Sequence, residues 1–276
     1  MTSATALPLT IDIVSDSICP FCYIGWRKIS AALASSPHLL SSTGSGDSNK
    51  PATFAPQIRF RPFQLDATLP KDAPLDKREH YFRKFGPRFA QMEPMMKQRG
   101  QEVGIDFVYD GPLRNTTPSH RLMEKAFQTH GSEGQRKLLD QIFPAYFEKS
   151  QDIGDPDTLA QLAFQAGLFD SASAAKAFVA SDELADEVER GYAEARSKSI
   201  SGVPHFTITA MRPDGDSSDS AYRPFLRSQV SGAQDPGTFL GIFESMAQKA
   251  AEKGLTGGDT AAVTSSVDGN GSSCAA

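Results

Sequence analysis

The residues of this chain best suited to chemistry are the two cysteines of the Cys-Pro-Phe-Cys segment at 19–22. Residues 9–15 before it alternate apolar and polar side chains and are rich in Ile and Val, which is typical of a β-strand. After it, apolar side chains follow at helical spacing, and the proline suits a first helical turn. Ser17 or Asp16 is a candidate cap for this helix. The pattern therefore places Cys19 at a helix N-terminus.

A cysteine in that position lies near free backbone N–H groups and the positive end of the helix dipole, which stabilise a thiolate. Because the thiolate is the nucleophilic form, Cys19 is predicted to be reactive. Cys22 follows one turn later on the same helix face. It could attack a mixed disulfide formed on Cys19 and release the partner. The pair is thus predicted to be a two-thiol redox centre.

Two other interpretations of a Cys-x-x-Cys pair were weighed. A zinc site needs a second pair of Cys or His at ligand spacing, and the one further cysteine, Cys274, lies far along the chain. Two inert buried thiols would not require a Cys-Pro-x-Cys at a strand-to-helix turn. Redox chemistry is therefore favoured, and no metal is expected.

The composition is that of a globular chain, with 276 residues and 39% hydrophobic side chains in one or two domains. A net charge of −5 gives no reason to expect a nucleic-acid or anionic-membrane partner. The N-terminus lacks the basic and apolar regions of a secretory signal, and no apolar run is long enough to span a bilayer. Three cysteines are too few for a disulfide framework, so we expect a cytoplasmic protein.

The remaining strands are predicted from similar signals. Residues 57–65 form a second strand, parallel to the first across the Cys19 helix. Residues 203–209 and 225–230 form an antiparallel pair, followed by a last helix that ends near residue 253. Residues 35–56 are rich in Ser, Gly, Thr and Pro and are expected to be a mobile surface loop.

Between the second and third strands, from residue 75 to about 199, the apolar spacing is helical apart from a short extended piece at 104–109. The Met and Phe residues of this part, among them Phe89, Met92, Met95 and Met96, are interpreted as core side chains rather than a cofactor site. Residues 254–276 are predicted to be a disordered tail, and Cys274 within it an incidental thiol.

This order of elements resembles the thioredoxin fold with an inserted helical domain, as in the DsbA family and most closely its FrnE-type members. The matching residues are Ser15-Asp16, the segment from Cys19 to Gly25, Asn115, His120-Arg121, Gly202-Val203-Pro204 and the segment from Ser231 to Gln234. The resemblance implies an α/β protein with four segments: 9–66, the first half of the thioredoxin-like domain; 75–199, an inserted all-helical domain; 200–253, the second half; and 254–276, the tail.

The resemblance also implies site residues. The proline that matches Pro204 is cis in that family and faces the two cysteines, so that the Val203 backbone can pair with an extended substrate. Phe21 is a candidate substrate-binding residue, at a position where relatives often have Trp. His120 is a candidate for lining the cleft, with packing inside the helical block as the alternative. Ser119 stands where relatives often have Ala.

Three functional hypotheses follow. The first is a thiol–disulfide oxidoreductase that acts on protein or small-molecule thiols through Cys19 and Cys22, with no bound cofactor. Glutathione is a candidate co-substrate, and a homodimer is a candidate assembly. The second, from relatives of the same fold, is a glutathione-dependent transferase or isomerase of the kappa-class or 2-hydroxychromene-2-carboxylate isomerase type. The third is a chaperone-like binding module, which would not need two cysteines at a helix start.

Overall fold

The computed structural model describes residues 6–40, 53–213 and 222–255. The strands in chain order are β1 (Leu7–Ser15), β2 (Phe54–Pro62), β3 (Leu75–Asp76), β4 (Pro112–Leu113), β5 (His205–Pro213) and β6 (Tyr222–Ser231). The helices are α1 (Pro20–Ser35), α2 (Lys77–Phe85), α3 (Phe89–Gln101), α4 (Thr117–Phe147), α5 (Pro156–Gln165), α6 (Ala172–Ala180), α7 (Ala185–Ser197) and α8 (Pro236–Glu252). This mixture confirms the predicted α/β class.

The core is organised around a four-stranded sheet in the order β2-β1-β5-β6. β1 is parallel to β2 and antiparallel to β5, and β5 is antiparallel to β6. Alternate β1 residues, Leu9, Ile11 and Ile13, are at most 2% exposed. On β5, the Phe206 ring packs edge-on against Phe239 of α8, and α8 in turn packs against α1. Helices α1 and α8 therefore cover the apolar face of the sheet.

The predicted parallel strand pair is confirmed, although β2 is shifted from the predicted 57–65. It begins at Phe54 and ends at Pro62. Beyond it, the Leu65 N–H donates to the Asp16 carboxylate at 2.8 Å instead of continuing the ladder. The antiparallel pair β5–β6 is also confirmed, and both strands extend further into their connection than predicted.

The helices between β2 and β5 follow the predicted segments closely. Two predicted helices form one element, α4, which is interrupted at Gly131 with φ 60° and ψ −149°. A positive φ of this kind is strained for residues other than glycine, so the sequence sets the position of the break. The prediction of an all-helical insertion was wrong in one detail, since Leu75–Asp76 and Pro112–Leu113 pair as two short antiparallel strands.

Some predictions lie outside the described residues. These are most of the mobile loop, at 41–52, and the disordered tail, at 256–276, with its Cys274. The division of the chain into four segments stays a prediction. Across the described ranges, no helix combines the length and the apolar character that a membrane span requires.

Candidate active site

Cys19 is the N-cap residue of α1, where the sequence placed it. Its backbone is extended, and its carbonyl accepts hydrogen bonds from the amides of Cys22 at 3.0 Å and Tyr23 at 3.4 Å. The predicted cap by Ser17 or Asp16 was wrong, because no side chain caps this helix. The Cys19 sulfur therefore lies at the helix end that carries the partial positive charge.

The loop before β5 approaches Cys19 from the other side. The Cys19 Sγ–H donates to the Val203 carbonyl at 3.6 Å, and the Val203–Pro204 peptide bond is cis. Pro204 is buried against α1, where a Cβ added to Gly25 would lie only 2.9 Å from its Cγ. Glycine at position 25 thus permits the close approach of α1 to this loop.

The two cysteines are in different surroundings although each is 3% exposed. Cys19 borders a cavity of about 480 Å³, whereas Cys22 does not. Burial raises the pKa of the Cys22 thiol well above its ordinary value, and the neighbouring Cys19 sulfur raises it further. The site therefore has one sulfur at a cavity wall and a second, protonated sulfur behind it.

The described wall of this cavity includes three of the predicted residues, Cys19, Phe21 and Val203. Phe21 is 37% exposed. Helices α2 and α3 supply a second group of residues, which are large and apolar: Tyr81, Phe85, Phe89, Met92, Met95 and Met96.

The sequence interpretation of this Met and Phe group as core was only partly right. Phe89 and Met96 are at most 5% exposed, but Met95 is 46% and Phe85 38% exposed, and all four border the cavity beside Cys19. Apolar spacing does not distinguish the buried from the exposed members of this group. A cluster of exposed apolar side chains can indicate a binding surface.

Asp16 belongs to a group of buried polar residues that we call the polar cluster: Asp16, Ser17, Ser119, His120 and Tyr192. Asp16 has no exposed surface, and its Oδ1 lies 3.5 Å from His120 Nε2. Burial raises the pKa of the Asp16 carboxyl to about 6. The Ser17 and Ser119 hydroxyls form a buried hydrogen bond at 2.8 Å.

His120 is placed in the polar cluster and not at the cavity wall. Its side chain is 4% exposed, and its Nδ1 lies 2.7 Å from the Tyr192 hydroxyl. Burial lowers the pKa of His120 to about 3, so its ring is neutral near pH 7. His120 is therefore packed inside the protein, and its role in substrate binding stays a prediction.

No group of three or more His, Cys, Asp or Glu side chains within the described ranges is arranged to hold a metal ion. The chemistry available at the site is that of its thiols. A helix N-terminus, an adjacent carbonyl and a second thiol one turn away can support nucleophilic attack on a disulfide and its subsequent resolution.

The fold and the site together define an enzyme of the thioredoxin-fold class. The chain belongs to the family of the DsbA-like thioredoxin domain, whose model matches residues 10–244. The family resemblance and the thioredoxin-like fold predicted from the sequence are both confirmed.

The chain is also similar to individual proteins. An uncharacterized protein of Bacillus subtilis, YwbO, is 24% identical over 204 residues, which cover 72% of this chain and 86% of that protein. A probable DsbA oxidoreductase from Streptomyces coelicolor has a similar structure, with a TM-score of 0.67, 25% identity, and coverage of 87% of this chain and 90% of that one. A 2-hydroxychromene-2-carboxylate isomerase shares the fold, with a TM-score of 0.52, 15% identity, and coverage of 89% and 97% respectively.

Proposed function

We propose that this protein is a thiol–disulfide oxidoreductase that acts through Cys19 and Cys22. The observation that carries the proposal is the placement of the two sulfurs. Cys19 lies at the N-terminus of α1 and at a cavity wall, while Cys22 is one turn further on and away from the cavity. A nucleophile open to substrate and a protected resolving thiol are the two parts that disulfide exchange requires.

In the reductive direction, the Cys19 thiolate attacks one sulfur of a substrate disulfide. The substrate S–S bond breaks, a Cys19–substrate disulfide forms, and the other substrate sulfur leaves as a thiolate that takes a proton from solvent. The Val203 carbonyl, 3.6 Å from the Cys19 sulfur, lies beside this exchange. Its position supports the proposal that the Val203 backbone pairs with an extended substrate next to Pro204. The exposed Phe21 ring at the same cavity wall supports the proposal that Phe21 contacts that substrate.

Cys22 then loses its proton and attacks the Cys19 sulfur. An intramolecular disulfide forms, the second substrate thiol is released, and two electrons have passed from protein to substrate. Because burial raises the pKa of Cys22, this second step accelerates as the pH rises. The reverse sequence oxidises a dithiol substrate, and the direction depends on the potential of the pair against that of its surroundings.

We further propose protein or small-molecule thiols and disulfides as substrates, with glutathione as a candidate co-substrate and a homodimer as a candidate assembly. A reducing compartment such as the cytoplasm suits a chain with three cysteines in 276 residues, because its thiols then remain available for catalysis.

The first experiment is a redox titration of the protein against glutathione in a Cys274→Ser background, which removes the third thiol. Trp26, the lone tryptophan, lies one turn past Cys22 and reports the transition by fluorescence. We expect a single two-electron transition. Failure to form the Cys19–Cys22 disulfide at any potential contradicts the proposal.

The second experiment tests the mechanism with Cys22→Ser in the same background. We expect a stable mixed disulfide between Cys19 and substrate, visible by mass spectrometry, and loss of turnover. The matched control Cys19→Ser should form no adduct. If Cys22→Ser instead keeps most of its activity, the transferase or isomerase hypothesis is favoured, since those reactions do not need a resolving thiol.

A further inference from the structure

Exposed large apolar side chains are concentrated around the cavity beside Cys19. Among all the described residues, eight large apolar side chains are exposed. Four of these eight, Phe21, Leu65, Phe85 and Met95, border this one cavity. A concentration of exposed apolar side chains around a volume of about 480 Å³ is typical of a site that binds an apolar group.

The basic side chains of the cavity wall are paired with an acidic side chain of the same wall. Among the described wall residues, the cationic or titratable bases are Lys84 and His80. Lys84 Nζ lies 2.9 Å and His80 Nε2 3.5 Å from the same oxygen, Oδ2 of Asp66. Both bases are therefore engaged by an acidic side chain of the same wall. A ligand with free carboxylates, such as glutathione, would have to compete with Asp66 for them.

The apolar side chains that α2 and α3 contribute to the cavity are called here the α2–α3 wall: Tyr81, Phe85, Phe89, Met92, Met95 and Met96. Their composition indicates how the cavity accommodates an apolar group. Met92, Met95 and Met96 have unbranched, polarisable side chains, which adapt to ligands of different shape and contact aromatic rings favourably. Tyr81 and Phe85 supply such rings on the same wall. A wall of this kind selects apolar character and tolerates variation in shape.

We propose that this cavity selects substrates in which a large apolar group lies within a few bonds of the reacting sulfur, so that they react faster than glutathione does. The inference rests on the proposed function and specifies its substrate. When Cys19 attacks the sulfur that bears the apolar group, that group remains in the cavity as part of the mixed disulfide. The other substrate sulfur leaves with the electron pair of the broken bond and is protonated by solvent. The polar half of a substrate therefore departs first.

The test compares pairs of disulfides that differ only in the group near the sulfur. The small-molecule pair is dibenzoylcystamine and diacetylcystamine. The peptide pair consists of disulfide-linked dimers of two tetrapeptides, identical except for Phe or Gln next to the cysteine. Trp26 fluorescence follows the rate at which each disulfide oxidises the reduced Cys274→Ser protein. Each rate is then divided by the rate at which a free alkyl thiol reacts with the same disulfide, which corrects for the reactivity of the disulfide itself. Oxidised glutathione is the charged reference.

We expect the apolar member of a pair to react at least about tenfold faster, which corresponds to burying one large apolar side chain. Met95→Glu should reduce that ratio to below about threefold, and Phe85→Glu should act in the same direction. The matched control is Phe82→Glu, because Phe82 is 56% exposed on α2 and does not border the cavity. It should leave the ratio within twofold of the unsubstituted protein.

A preference in both pairs, or in the small-molecule pair alone, supports recognition of the apolar group itself. A preference in the peptide pair alone supports the inference with a polypeptide as the source of that group. The inference would be overturned by any of three results. These are equal rates within both pairs, a faster reaction with oxidised glutathione than with the apolar disulfides, and equal effects of Met95→Glu and Phe82→Glu on the ratio. Absence of any Cys19–Cys22 disulfide in the titration would refute the proposed function instead, so the two failures are distinguishable.

Discussion

The two sets of residues that surround the cysteine pair differ in kind. The α2–α3 wall carries large apolar side chains that are partly exposed, such as Met95 at 46%. The polar cluster carries side chains that are almost fully buried, with Asp16 at 0% and His120 at 3%. No described residue borders both the large cavity and the small cavity of about 10 Å³ that His120 and Ser17 line. We conclude that the α2–α3 wall can contact a ligand, whereas the polar cluster holds the turn between β1 and α1 in place.

The largest effect that would test this difference is expected at Asp16. Its carboxyl has a pKa of about 6 in the folded protein against 3.8 for an unperturbed Asp, because burial disfavours the charged form. The folded state therefore binds more protons than the unfolded state between these values, and Asp16 destabilises the fold progressively as the pH rises from about 4 to above 6. Two pKa units correspond to about 3 kcal/mol.

The corresponding substitution is Asp16→Asn, which keeps an oxygen to accept the Leu65 N–H and cannot ionise. The unfolding free energies of variant and parent are compared at pH 4 and at pH 7. We expect the difference between them to change by about 2 kcal/mol in favour of the variant over this range. Urea denaturation of the reduced proteins measures it. Asp12→Asn is the control, since Asp12 forms a partly exposed ion pair with Arg61 and should shift by less than about 1 kcal/mol. Equal shifts would contradict the assigned role.

A smaller effect is expected from Tyr192→Phe. The substitution removes the hydroxyl that lies 2.7 Å from His120 Nδ1 and leaves a buried ring nitrogen without that partner. We expect a loss of about 1–3 kcal/mol in unfolding free energy at pH 7, measured by urea denaturation. Tyr222→Phe, at a tyrosine that is 42% exposed, should change stability by less than about 0.5 kcal/mol. Comparable losses in the two variants would show that the cluster is not specially constrained.

The smallest effect is expected at the cavity wall itself. Met92→Leu replaces one flexible apolar side chain with another of similar volume at a position that is not fully buried. The loss in unfolding free energy should stay below about 1.5 kcal/mol. A loss as large as that of Leu or Met replaced by Ala in a core, about 2–5 kcal/mol, would mean that the α2–α3 wall is packed interior and would remove the contrast with the polar cluster.

The sequence predicted those parts of the site that local signals define. The strand-to-helix turn with Cys19 depends on residues close together in the chain, and the structure follows it. The α2–α3 segment was predicted as helical and apolar, yet apolar spacing alone does not show which side chains meet another element and which meet solvent. Met95 and Met96 are adjacent in sequence and differ from 46% to 4% in exposure.

The polar cluster could not be predicted for a different reason. Asp16 and His120 are separated by about a hundred residues, and their approach to 3.5 Å is a consequence of tertiary packing. Near a helix start, an Asp is most often a cap, and that local preference led to the wrong assignment. The carboxylate instead accepts the Leu65 amide as the chain leaves β2.

The position of β1 in the sheet has a consequence for synthesis of the protein. β1 pairs with β2 on one side, but on the other side Leu9 pairs with Ala210, about 200 residues later. At a translation rate of roughly 5–20 residues per second, about 10–40 s pass between the emergence of the two partners. During that interval one edge of β1 has unpaired backbone groups and is open to pairing with other chains. Until β5 is made, this edge of β1 is therefore a place where the growing chain can associate with other chains.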